Sequence, residues 1–176
     1  MANTHGYINT THCACWNVDA YNLTGVATTN LDNGVFVTLD NMAADSTTGK
    51  INGYEYDVSP ADGTSTSVWV IDTPEVGSTL EMQLMSDPRY FYNIAGKPMT
   101  LRYLVPKVDC IEVDANCFVG GVMPNKQVIV IGADGKLAGS DTIPTGGAVY
   151  FRPEGLHEVD IGMEKIETVI LRIQAN

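Results

Sequence analysis

Seventeen glycines and eight prolines are spread so evenly that, outside residues 7–24, no stretch free of both exceeds fourteen residues. In a helix interior Gly costs about 1 kcal/mol and Pro about 3 kcal/mol relative to Ala. Long helices are therefore disfavoured, and short strands joined by turns remain. Strand formers fill the gaps at Val35–Leu39, Gly53–Val58, Ser67–Ile71, Leu80–Leu84, Pro98–Val105, Cys110–Val113, Gln127–Ile131, Ala148–Phe151 and Thr168–Ile173. Leu80–Met85 could also form a short helix, with Pro88 interrupting it. From Met163 to Ile173 the apolar spacing also suits a helix, but the β-branched density of Ile166, Thr168, Val169, Ile170 and Ile173 favours a final strand.

Patterning inside these pieces gives faces. Gly53–Val58 alternates aromatic or apolar with acidic, which predicts one buried and one wet face. Val128–Ile131 is continuously apolar and predicts burial on both faces, followed by an Asp134-Gly135 hairpin turn. Residues 1–20 read as an N-terminal arm, polar except for an island from Cys13 to Trp16, ahead of a β-rich body over 21–176 with a subdivision near 120–125. The expected fold is all-β, an antiparallel sandwich or barrel with room for a second small β unit.

Charge narrows the partners. Twenty-one acidic residues against ten basic give a formal net charge of −11. With no Lys/Arg cluster, a phosphate backbone is a poor partner. No apolar run approaches the roughly 18 residues of a membrane span. The opening MANTHGYINTTHCACW lacks the basic and apolar regions of a secretory signal, so synthesis in a reducing cytosol is expected.

Catalytic raw material is sparse. The histidines are His5, His12 and His157, and no serine sits in a Gly-x-Ser-x-Gly frame. Gly49-Lys50 is followed by Ile51 and preceded by Ala44, so it is not a phosphate loop. Cys13 and Cys15, spaced to share one strand face, could join Cys110 and Cys117 around zinc, but neither pair has the usual Cys-x₂₋₄-Cys spacing. Free, partly buried thiols are favoured over metal or disulfide, with Cys110 read as a core residue. A Cys110/His157 dyad has little to support it. Asp109, Glu112 and Asp114 do not complete a calcium loop and read as solvated strand-edge charges. No catalytic, cofactor or metal residue is therefore assigned. Trp69 reads as core, whereas Trp16 has no obvious local core and needs a partner or a fold-back contact. Cys13, Cys15 and Trp16 are the candidate partner-contact residues.

Two stretches carry a resemblance. Leu31–Asp40, LDNGVFVTLD, pairs an Asp-Asn-Gly turn with an apolar strand, and residues 95–104, AGKPMTLRYL, lead a turn into a strand ending near a tyrosine. Together with Asp72–Val76 and Val108–Val113 they resemble the capsid-decoration (cement) proteins of tailed bacteriophages, over roughly residues 20–120. The resemblance implies a non-enzymatic virion protein without cofactors, made in the bacterial host cytoplasm. It would bind the major capsid protein on the outer capsid surface, as a homo-oligomer, with no nucleic-acid or membrane partner. A fibre head or carbohydrate-recognising β-sandwich is the competing expectation.

Overall fold

A computed structural model describes residues 5–76, 86–88, 90–162 and 164–176. The candidate strand Leu80–Leu84 lies outside them. The described residues form an all-β protein of eleven strands. Five of them, β2 (Asn22–Val26), β3 (Phe36–Ala44), β4 (Ile51–Pro60), β5 (Trp69–Ile71) and β6 (Pro98–Tyr103), close into a barrel in the order β2-β4-β3-β5-β6. Closure uses one parallel pair, β2 with β4, against the all-antiparallel expectation. The other six form an open sheet. In sheet order they are β1 (Ile8–Asn9), β7 (Cys110–Asp114), β11 (Glu164–Ala175), β10 (Tyr150–Ile161), β8 (Val128–Ile131) and β9 (Leu137–Ser140). The chain passes from barrel to sheet between Tyr103 and Cys110, earlier than the subdivision expected near 120–125.

The two layers share a core. Val35, Val37, Val58, Ile71, Met99 and Leu101 fill the barrel. Phe36, Val68, Val70 and Leu104 turn the other way and pack with Ile111, Ile129, Phe151 and Leu171 of the sheet. Strand β3 is thus buried on both faces at its start, which explains the unbroken apolar run Val35-Phe36-Val37. The Phe36 and Phe151 rings lie 5.2 Å apart across the layers. The β8–β9 turn also docks on the barrel. Asp134 and Gly135 both have positive φ, and a Cβ on Gly135 would sit 2.2 Å from the Phe36 carbonyl oxygen, so only Gly fits.

Two long hairpins run out of these layers. Along the β4 face that should bury its side chains, Tyr54 is 85% exposed, Tyr56 half-buried and Val58 buried. The alternation is present, but the strand leaves the barrel before its tyrosine end finds a neighbour. The β10–β11 hairpin behaves alike. Phe151, Leu171 and Ile173 are buried at its root, whereas Leu156 and His157 are exposed.

Candidate contact surface and the polar hubs behind it

The segment expected to be an arm is woven into the body over its described residues. Ile8 and Asn9 pair with Val113 and Glu112, adding β1 to the sheet edge. Cys13 and Cys15 are buried, Cys13 donating to the Cys110 carbonyl oxygen at 3.2 Å. A hydrogen bond between the two thiols pushes Cys13 up and Cys15 down, and the nearby Arg102 charge lowers Cys15 further. Buried thiols have no surface to give a partner, so of the three candidates only Trp16, 54% exposed, remains available. Its fold-back contact is a guanidinium: Arg102 Cζ lies 4.3 Å from the Trp16 ring centre.

Arg102 is the centre of a clasp the sequence did not announce. Its Nε donates to Asp72 Oδ2 at 2.6 Å and its Nη1 to Asn22 Oδ1 at 2.7 Å. Thr10 Oγ1 also donates to Asp72 Oδ2, at 2.5 Å, and accepts from Trp16 Nε1 at 3.0 Å. Asn22 closes the loop by donating to the Cys15 carbonyl oxygen at 2.7 Å. Barrel residues thereby grip the segment that joins β1 to β2. A lone Arg between Leu101 and Tyr103, in a chain with ten basic residues, was the available signal.

The Asp32-Asn33-Gly34 turn is a second hub. Asp32 Oδ1 meets His5 Nδ1 at 2.7 Å, and the His5 ring stacks on Tyr92. Asn33 is buried. It donates to the Thr73 carbonyl oxygen, accepts from the Thr73 N–H, and accepts from Asn93 Nδ2 at 3.0 Å. Gly34 has φ +83° with the Cys117 sulfur 2.5 Å from where a Cβ would be. Each residue of this turn has a packing or hydrogen-bonding reason to be what it is.

The acidic cluster of Asp109 and β7 departs from expectation. Asp109 and Asp114 are each 1% exposed rather than solvated. Asp109 accepts from the backbone N–H groups of Ala14 and Val105, and Asp114 from that of Tyr7. Both carboxylates tie the chain's opening segment to the sheet. Burial dominates at Asp114 and pushes its carboxyl up despite these bonds. Between them Glu112 faces outward and accepts from Thr168 Oγ1 and pairs with His157 Nδ1, both at 2.6 Å. Cys110, half-buried rather than fully core, pairs with Arg172, four residues along β11 from the Thr168 that faces His157. That separates Cys110 from His157 by about 13 Å of strand, so no dyad forms. The hydroxyl near His157 is that of Thr168, and it bonds the same carboxylate oxygen, not the imidazole. A nucleophile–base pair needs that bond to the base. Among the described residues no three His, Cys, Asp or Glu side chains converge as a metal site.

Comparison with protein families, with characterised proteins and with solved structures finds no match to this chain.

Proposed function

We propose that this chain is a non-enzymatic structural virion protein that binds the outer surface of a tailed-phage capsid and stabilises it. The observation that carries the reading is a juxtaposition. The two stretches that resemble decoration proteins, Leu31–Asp40 and residues 95–104, line one barrel core, where Val35 and Val37 cluster with Met99 and Leu101, and their flanks are hydrogen-bonded. Leu31 and Asn93 exchange backbone hydrogen bonds. Ala95 N–H donates to Asn30 Oδ1, and Gly96 N–H to the Ala27 carbonyl oxygen. Strands β3 and β6 then flank β5 in the barrel wall. Both stretches thus belong to one barrel, and each residue of the Asp-Asn-Gly turn serves structure. That suits a protein whose business is to be a durable body.

Its partner is the major capsid protein, and it acts as a homo-oligomer. A ligand that binds only the assembled state stabilises that state by mass action, and several copies seated together convert weak contacts into lasting attachment. Trp16, held at the surface by Arg102, is the contact residue left from the candidate set. The test is co-sedimentation of purified protein with matured, undecorated tailed-phage capsids. Binding that raises the temperature at which the capsids release DNA is the expected result. Failure to co-sediment, with binding to a glycan array instead, would transfer the protein to the carbohydrate-recognition class.

A further inference from the structure

Asn33 and Asn52 are the asparagines of this chain that are followed by glycine. In that dipeptide the backbone nitrogen of the glycine can close a five-membered ring on the asparagine amide carbon, and no Cβ shields the nitrogen. Ring closure needs a side-chain amide free to turn, a nitrogen free to lose its proton, and water. At Asn33 all three are denied. Its side chain is buried, donates to the Thr73 carbonyl oxygen at 2.9 Å and accepts from the Thr73 N–H and from Asn93 Nδ2. The nitrogen that would attack is tied as well, since the Gly34 N–H donates to the Ile71 carbonyl oxygen at 2.8 Å.

Asn52 is set in the opposite way. It lies near the tip of the β3–β4 hairpin, at a break in the register. Ala44 pairs with Ile51 and Met42 with Tyr56, so Asn52–Glu55 stand against Ala43 alone. A bulge of this kind leaves its extra residues outside the ladder. Residues 51–54 are all exposed, and among the described residues no hydrogen bond holds the Asn52 side chain. Gly53 has φ +76°, with nothing within 4 Å of the place a Cβ would take, so its nitrogen is open to solvent and to its neighbour's side chain. Exposed backbone with few packed neighbours is also where local opening costs least.

We propose that Asn52 is a site of spontaneous deamidation in the folded protein, and that Asn33 is protected from it. The Gly53 backbone nitrogen gives its proton to solvent and forms a bond to Asn52 Cγ. The bond from Cγ to the side-chain nitrogen breaks, and that nitrogen leaves as ammonia with a proton from solvent. Water then adds to either carbonyl of the resulting succinimide and opens the ring, giving aspartate or isoaspartate. Nothing is oxidised or reduced, and one water is exchanged for one ammonia. Each event adds a negative charge to a chain already at −11, on a hairpin end where Tyr54 is 85% exposed. The extra backbone methylene of isoaspartate is absorbed by a bulge, whereas in the Asp-Asn-Gly turn it would pull Asn33 off its partners. The proposal stands without the capsid reading, since it concerns this chain's own chemistry.

The test is to age the folded full chain at mildly alkaline pH beside a control unfolded in guanidinium chloride, with anion exchange and peptide mass spectrometry as readouts. The folded chain should pass steadily into a form with one more negative charge, the change mapping to Asn52. Part of that product should accept a methyl group from an isoaspartate-specific carboxyl methyltransferase. The unfolded control should convert at Asn33 as well, because unfolding releases both its amide and the Gly34 nitrogen. Asn52→Gln should lose the charge gain in the folded state, since its longer side chain closes a ring far more slowly. Asn52→Asp should elute from the start where the aged parent does. An Asn52 that stays intact in the folded chain while the unfolded control loses it would overturn the proposal. So would an undiminished charge gain in folded Asn52→Gln, or conversion of Asn33 in the folded chain as fast as that of Asn52.

Discussion

The barrel and the open sheet solve the same problem differently. The barrel pairs β2 with both β4 and β6, so its wall has no free edge, and its interior is lined by small and medium apolar side chains. The sheet ends in β9 on one side and lets β10 diverge from β8, leaving its edge exposed. One layer is closed on itself, and the other keeps strand edges that no described strand pairs. Closure removes the tendency of strands to recruit neighbours, so a partner is expected at the sheet rather than at the barrel wall.

The most forceful way to break this contrast is to ask whether the layers are separable at all. Leu101 lies inside the barrel, and Leu171 lies in the core shared by barrel and sheet; both are fully buried. Leu101→Ala and Leu171→Ala should each cost about 3 kcal/mol. Because Phe36, Val70 and Leu104 belong to the same cluster as Leu171, both variants should lower one cooperative unfolding transition. Two transitions in calorimetry, with Leu101→Ala moving only one of them, would make barrel and sheet independent domains.

A smaller effect is expected where the layers are tied by polar atoms. Asp72→Asn leaves the buried Arg102 guanidinium without its counter-charge and weakens the Thr10 bond, a loss of about 2–3 kcal/mol in urea unfolding. It should also loosen the segment over Cys13–Trp16, so that a thiol reagent reaches Cys15 faster than in the parent protein. Unchanged thiol reactivity would mean that the clasp is ornament to a segment held by β1 and Asp109 alone.

How much of this was legible in the sequence follows from which forces are local. Leu80–Leu84 aside, which lies outside the described residues, the expected strands from Val35 to Ile173 were readable, since β-branched runs and Gly/Pro punctuation act over a few residues. The Asp134-Gly135 turn was readable for the same reason, two positive φ angles in succession. What failed depended on distant neighbours. Val128–Ile131 is buried as its apolar run predicts, but Tyr54, whose alternation is as clear, ends exposed because β4 outruns the barrel. Asp109 and Asp114 look like surface charges until backbone N–H groups some hundred residues earlier in the chain are brought to them. The contact candidates fared unevenly: Trp16 needed a fold-back contact and has one, but its cation comes from position 102. Divergence of β10 from β8 falls at Pro153, which has no N–H to pair, a mark that the strand-by-strand reading did not use.

The sheet side can be probed separately through Glu112, the residue of β7 that holds the β10–β11 hairpin from outside. Burial pushes its carboxyl up, but hydrogen bonds from Thr168 and His157, and the charge on His157, outweigh burial and hold it below the usual range. A carboxyl depressed by folding contributes stability that is complete above its unfolded value, about 4.3, and is lost as pH falls through the lower folded value. Its neighbour Asp114, pushed up by burial, has the opposite sign: it costs stability above its folded value, and that cost is relieved as pH falls. Glu112→Gln should therefore cost about 1.5 kcal/mol at pH 7, by loss of charge-assisted hydrogen bonds. It should also flatten the decline in stability below about pH 4.3. Urea titrations across that range make the comparison. An undiminished acid decline in the variant would show that the hairpin is held by its root at Phe151 and Ile173, as the barrel strands are by theirs, and not by this outward carboxylate.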